Sequence, residues 1–455
     1  RHDLYDQCVL PSSGQSSPMV IYAMNSTLLE LDALRNPQSV IRIAYQQDVP
    51  LTKRISSLID TPAFNRLTHL SQLGLVSRVY PSAHHTRFEH SLGVYHLALR
   101  YLEHFLGFPD FASSVTIIEL ETFVLAALLH DIGHWPYCHP IEDMRLPGLI
   151  SHEQRAAQII CESEISETIA ALWSCTPYDV ARFLRGEVSS PPEQLLYSML
   201  SSPVDIDKMD YLQRDSLHAG VPYGRNYDQQ RLLLGLIADP TTNQLALSGK
   251  SLTAAEMMVF ARYVMFSEVY WHKTVRSATA MLQCCVQQMP RAENIQAMCS
   301  LSDNEAERYI LNTTEASALA SDLFGPIRKL HKSVFQCNAS NNPDIYHRVV
   351  GLSYVELIAA SQRLQELMNC GNTPYAVLID APPTELEVQF DLNVYDKTTD
   401  DFTSLSDRSP VVRVLAEEQF DYHVKRVRIF VRSEFAQACR SREDLAELLL
   451  QSVST

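Results

Sequence analysis

Residues 121–134 read ETFVLAALLHDIGH, and the seven positions from Phe123 to Leu129 are all apolar. A helix with that run has no polar stripe to give to solvent, so it is buried round most of its circumference. It nevertheless ends in His130-Asp131 and His134. A carboxylate and imidazoles at the end of a buried helix are costly if unpaired, and a metal ion supplies one partner to both. By itself the dipeptide reads first as an ordinary helix C-terminus. Its meaning depends on what the rest of the chain sets opposite it.

Two further segments bear on that question. In SSPVDIDKMDYLQRDSLHAG (201–220), Ser and Pro signal a helix start and Gly220 a stop. Asp207, Tyr211 and Arg214 recur there at i, i+4 and i+7, with Lys208 and Asp215 flanking. Such a face either forms salt bridges in solvent or binds a metal and a polyphosphate together. In HHTRFEHSLGVYHLALRYL (84–102), His90 opens an amphipathic helix just after Arg87 and Glu89. His90, His130, Asp131 and Asp207 together make a His-His-Asp-Asp set without a thiolate. That set suits a divalent Mn, Fe, Ni, Mg or Zn ion with positions left for water and phosphate.

Outward from these segments the pattern is mainly α. Apolar residues recur every three or four positions in ISSLIDTPAFNRLTHLSQLG, HSLGVYHLALRYLEHFLG, HEQRAAQIICESE and AAEMMVFARYVMFSEVYWHKTVRSATAMLQCC, all between 49 and 300. Residues 1–48 form an arm with a loop-like SSGQSSP run and a short strand at VIRIAY (40–45). Residues 301–374 continue in short helices. From 375 to 455, YAVLID, EVQFDLNVY and VKRVRIFVRS, separated by Pro382-Pro383 and a TTDDFTSLSD loop, predict a small α+β subdomain.

The 455 residues carry 37 Lys+Arg against 53 Asp+Glu, a net charge of −16, which excludes an extended nucleic-acid surface and leaves room for a local cationic pocket. No apolar run is long enough to span a bilayer. Ten cysteines without a CxxC pair, and a start at Arg1 without a leader-like pattern, predict a cytoplasmic protein with reduced thiols. The one unusual count is of histidine: nine of the 16 fall between His84 and His152.

At this point the chain resembles the HD-domain phosphohydrolases, most closely their deoxynucleoside triphosphate (dNTP) triphosphohydrolase branch. The resemblance rests on LIDTPAFNRLTHLSQLG, HHTRFEHSLG, LLHDIGHWPYCH, SHEQ, DIDKMDYLQRD, ARYVMFSEVYWHKTVRSATAML, LIDAPP and RVRIFV, blocks in the family's order from about 58 to 432. It implies an HD helical core in which His90, His130, Asp131 and Asp207 bind the metal. It implies His139 as the proton donor to the leaving oxygen, with Glu142 orienting it, and His134 and His152 as phosphate-facing histidines. Gln72, Tyr211 and Asp215 fall where the family reads the sugar, Arg87, Lys208 and Arg262 where it holds phosphates, and Tyr270 where it packs on deoxyribose. The implied reaction is hydrolysis of a dNTP to deoxynucleoside and inorganic triphosphate by a homodimer or homotetramer, with a possible nucleotide effector.

Departures from the family pattern mark where these expectations are open. Glu142 stands in place of the usual Asp, and Trp135 in place of a Gly, as a core aromatic or as a ring that narrows the pocket or stacks on a base. Asn65 and Thr68 replace a Gln and an Arg that read guanine in vertebrate members, although His272 and Lys273 of that effector site are present. The Asp-Pro-His-Gly block is absent, and Trp271 sits at a position suited to substrate or subunit contact. Competing readings are another HD hydrolase, acting on a monophosphate, cyclic or signalling nucleotide, and a nucleotide sensor without turnover. Intact Arg87, Lys208 and Arg262 favour a polyphosphate over the former. Trp135 and Glu142 are the only hints of the latter.

Overall fold

A computed structural model describes residues 28–290, 292–383, 392–415 and 422–454. The fold is mainly α with small sheets, and its centre is helix α1 (Arg87–Phe105) packed on α2 (Ile117–Leu129). Every residue of α2 from Leu120 to Leu129 is buried, as the unbroken apolar run requires. A Thr116–Glu119 capping box starts α2 by satisfying two backbone donors reciprocally.

Short helices α3 (Cys138–Glu142) and α4 (His152–Glu162) follow the turn at the end of α2, and α5 (Ile206–Ala219) crosses α1. Asp205 caps α5 by accepting from the Lys208 amide, and Gly220 ends it at a φ of 70°. The segment 55–74 is not one helix. Thr61 and Pro62 start a second short helix after Lys53–Ile59, because the Thr61 hydroxyl caps it and Pro fits only its first turn. Helices α6 (Leu252–Met265) and α7 (Lys273–Gln287) are likewise separated, by a wide turn of π type over Phe266–Tyr270. That turn presents Tyr270 to the interior.

The sheets depart from the sequence reading in three places. The expected short strand of the arm is β1 (Val40–Ile43), and it pairs with a second strand, β2 (Gln47–Pro50), to form a hairpin; residues 1–27 of the arm lie outside the described residues. Strands β3 (Leu236–Asp239) and β4 (Gln244–Ser248) form a hairpin inside the stretch expected to be helical. Strand β5 (Lys332–Cys337) lies in the expected helical extension and pairs with β9 (Val427–Val431), which also pairs with β6 (Val377–Asp380). An edge strand with the sequence KSVFQC, β5 carries little alternation. The expected TTDDFTSLSD loop supplies strand β8 (Asp401–Ser404), antiparallel to β7 (Asn393–Asp396), which joins β4 in parallel to give the order β3-β4-β7-β8. Residues 387–391 of the expected EVQFDLNVY strand lie outside the described residues.

Among the described residues, three apolar cores result. One fills the helical bundle, one joins Trp135 and α3 to α7 and the helices over 303–324, and one underlies the β5-β9-β6 sheet. Among the described residues no helix is long and apolar enough to cross a membrane.

Candidate active site

Three helix ends converge on one point. The Thr86 hydroxyl caps α1 and so places His90 in its first turn. Helix α2 ends at Leu129 with His130 as its C-cap, and α5 brings Asp207 in its first turn. His90 Nε2 lies 3.2 Å from His130 Nε2 and 3.0 Å from Asp207 Oδ1, and His130 Nε2 lies 3.4 Å from Asp131 Oδ1. Both rings are held from behind: His90 Nδ1 meets Asp210 Oδ2 at 2.8 Å, and His130 Nδ1 donates to the Ala127 carbonyl at 3.0 Å. An imidazole tied through one nitrogen presents the other as a ligand. Two such nitrogens facing each other among carboxylates fit a divalent cation, which satisfies all of them at once.

Electrostatics agree with that fit. Burial opposes a charge on His90, but the bonds to Asp207 and Asp210 outweigh it and push its pKa up to about 10. Burial likewise opposes ionisation of Asp131, yet His134, Arg87 and His130 together hold its carboxyl well below the usual range. The cluster is thus an anionic hole that retains a positive charge, as a proton or as a metal.

Behind it stands a layer that the sequence reading missed. Arg214 does not face the cavity with Asp207 and Tyr211. It forms a bidentate pair with Asp210, at 2.9 and 2.8 Å, and bonds Glu89 at 2.7 Å. Asp210 is therefore fixed where it orients His90. The two helices can approach this closely because Gly93 of α1 has no side chain, and a Cβ there would collide with Asp210 and Arg214. Gly133 does the same for the turn after α2, where a Cβ would overlap the His152 carbonyl.

A second group of histidines lies on the other side of Asp131. His134 Nδ1 is 3.2 Å from Asp131 Oδ1, and the His134 and His152 ring centroids are 4.1 Å apart. Glu142, expected to orient His139, instead accepts from the His152 backbone amide at 2.7 Å and meets His152 Nδ1 at 2.8 Å, while His139 Nδ1 is 4.0 Å away. The extra methylene carries the carboxylate past its own helix to α4. His139 lines the open cavity with 62% of its side chain exposed, and desolvation by the surrounding walls, then Arg87 and His152, hold it below the usual imidazole range.

A cavity of about 1190 Å³ runs from the four expected metal ligands past Gln72, Arg87, Lys208, Tyr211, Asp215, Arg262 and Tyr270. The structure brings all of these together. Asp215 is clamped between Tyr270, whose hydroxyl donates at 2.7 Å, and His85 at 2.8 Å, and the His85 ring stacks on His218. His85 thus supports this wall. Two of the expected phosphate bases already have partners, Arg87 on Asp131 at 2.7 Å and Lys208 on Asp205 at 2.6 Å.

The departures separate as well. Trp135 is buried in the second core and does not line the cavity, which makes it a core aromatic. Asn65 and Thr68 line neither this cavity nor a smaller one of about 360 Å³ bounded by Trp271, His272, Lys273 and Arg428.

Family models match two successive segments, the HD domain over 87–214 and the HD associated region over 227–451. An uncharacterized protein of Bacillus subtilis is 34% identical over 260 residues, covering 57% of this chain and 56% of that protein. The deoxynucleoside triphosphate triphosphohydrolase SAMHD1 homolog of Dictyostelium discoideum is 28% identical over 257 residues, covering 54% and 49%. The alignments thus span about half the length of these curated relatives. The crystal structure of a hypothetical protein from Aquifex aeolicus superposes with a TM-score of 0.70 at 27% identity, covering 89% of this chain and 99% of that one. With the motif residues gathered at one cavity and these matches on either side of Gly220, the chain belongs to the HD-domain phosphohydrolase superfamily, on the branch that includes the dNTP triphosphohydrolases.

Proposed function

We propose that this protein is a metal-dependent dNTP triphosphohydrolase, releasing a deoxynucleoside and inorganic triphosphate. The observation that carries the reading is the single cavity that joins the His90–His130–Asp131–Asp207 cluster to three cationic side chains and to the Gln72, Tyr211, Asp215 and Tyr270 wall. A divalent ion held by those four ligands supplies Lewis acidity to the attacked phosphate and makes a water acidic enough to attack at neutral pH.

The chain's own residues do the rest. A triphosphate carries about four negative charges at neutral pH, which a net-acidic protein accommodates only where cations converge. Arg87, Lys208 and Arg262 supply that convergence. Desolvation, then the charges of Arg87 and His152, hold His139 towards its neutral form, and phosphates bound beside it favour the protonated form. His139 then donates its proton to O5′ as the O5′–Pα bond breaks and a water oxygen bonds to Pα. Asp215, immobilised by Tyr270 and His85, faces the sugar, and the Tyr270 ring packs where a 2′-hydroxyl would have to fit.

The small cavity at Trp271, His272, Lys273 and Arg428 supports a nucleotide effector in the same reading, and a homodimer or homotetramer belongs to it. The test is a product assay of the metal-loaded protein with each dNTP, singly and mixed. Tripolyphosphate with deoxynucleoside is expected, and release of only orthophosphate or pyrophosphate would refute the reaction.

A further inference from the structure

The histidines beyond Asp131, expected to face the phosphates, are held in a way that phosphate contact alone does not require. His134 is 2% exposed, its Nδ1 is taken up by Asp131, and its Nε2 is buried without a hydrogen-bond partner. His152 turns Nδ1 into the Glu142 carboxylate at 2.8 Å, which leaves its Nε2 as the uncommitted nitrogen. Cys138 follows His134 by four residues, and its Sγ and one ring nitrogen of each histidine all lie within 4.8 Å of one another. A ring with one nitrogen on a carboxylate and the other bare is how metal-ligating imidazoles are held. His90, backed by Asp210, shows the same arrangement a few ångströms away.

We infer that His134, Cys138 and His152 form a second metal site, containing a thiolate, beside the His90–His130–Asp131–Asp207 cluster. Two imidazoles and a thiolate select a borderline-soft divalent ion of the zinc type rather than magnesium or calcium. Donors about 2.0–2.3 Å from a tetrahedral centre stand roughly 3.5 Å apart, so the triangle closes on an ion with small side-chain rotations. On binding, the Cys138 thiol proton passes to solvent. All three residues line the large cavity, so the fourth position opens to it. Three protein ligands with an open position are the arrangement of zinc sites that bind an oxygen atom of a ligand. Phosphate contacts expected of His134 and His152 would then run through the ion. The inference holds whichever phosphate ester is cleaved.

Cobalt(II) provides the test, because a thiolate ligand gives an intense near-ultraviolet charge-transfer absorption that imidazole and carboxylate ligands do not. The wild-type protein, stripped and reloaded with cobalt or zinc, is expected to hold about two ions per chain and to show the cobalt band, with Cys138→Ser falling to about one ion and losing it. Asp207→Ala is expected to keep the band while losing the other ion. His152→Gln supplies the stoichiometry independently should Cys138→Ser fail to melt cooperatively. A single ion in the wild type, or a band that survives Cys138→Ser, overturns the inference. Neither readout involves turnover, so an inactive protein with the thiolate band would refute the proposed hydrolysis and leave the second site standing.

Discussion

Two pairs of histidines flank Asp131 and differ in what stands behind them. His90 and His130 are backed by Asp210 and a helix carbonyl and face two further carboxylates. His134 and His152 are backed by Asp131 and Glu142 and face a sulfur. The first pair therefore sits in strong negative field and the second in a weaker, softer one. The type of side chain is the same in both, so what separates the pairs is the set of groups around each ring.

The most severe way to test that contrast is to remove a carboxylate from the first pair. Asp207→Ala is expected to lower turnover by about a thousandfold or more, because phosphoryl transfer depends on positioning and charge. Retained turnover in a steady-state assay would move the chemistry to the second pair. Asp210→Asn removes no ligand to the ion, and is expected to weaken metal affinity by about 10- to 100-fold through its bond to His90, as measured by competition with a chelator.

A gentler test uses pH. With His90 pushed up to about 10 in the metal-free protein, binding an ion displaces its proton at any lower pH. Affinity at the first site should accordingly fall about tenfold for each unit of decrease below that value, as titrations across the neutral range would measure. In Asp210→Asn the slope should flatten at a lower pH than in the wild type, since the imidazole loses one of the carboxylates that hold its proton while Asp207 and Asp131 remain. The smallest effect is expected from Glu142→Gln, which should change the first site's affinity by no more than about twofold if the pairs are independent. A larger loss would make them one network through Asp131.

Much of this was readable in the chain before folding. The apolar run of α2 needs no tertiary information, and the four expected ligands lie in blocks whose order is itself informative. Asp210 was not readable, because its role depends on α1 and α5 crossing at Gly93, and nothing in the spacing of DIDKMDYLQRD distinguishes an acid that faces a histidine on another helix from one that faces solvent. The same applies to Glu142, whose partner lies ten residues on, and to His85, whose importance comes from Asp215. Strand β5 and the β3–β4 hairpin escaped because short strands take their stability from neighbours remote in sequence.

The sheet order β3-β4-β7-β8 has a consequence for how the chain is made. Ala246 to Ser248 pair with Asn393 to Tyr395, so one edge of the β3–β4 hairpin has no neighbour until roughly 150 more residues leave the ribosome. At about 5–20 residues per second that interval is on the order of ten to thirty seconds. During it the edge is a template for pairing with other chains. Fragments that stop after the helical core should therefore aggregate where the longer chain does not, and supplying the missing strands in trans should rescue them.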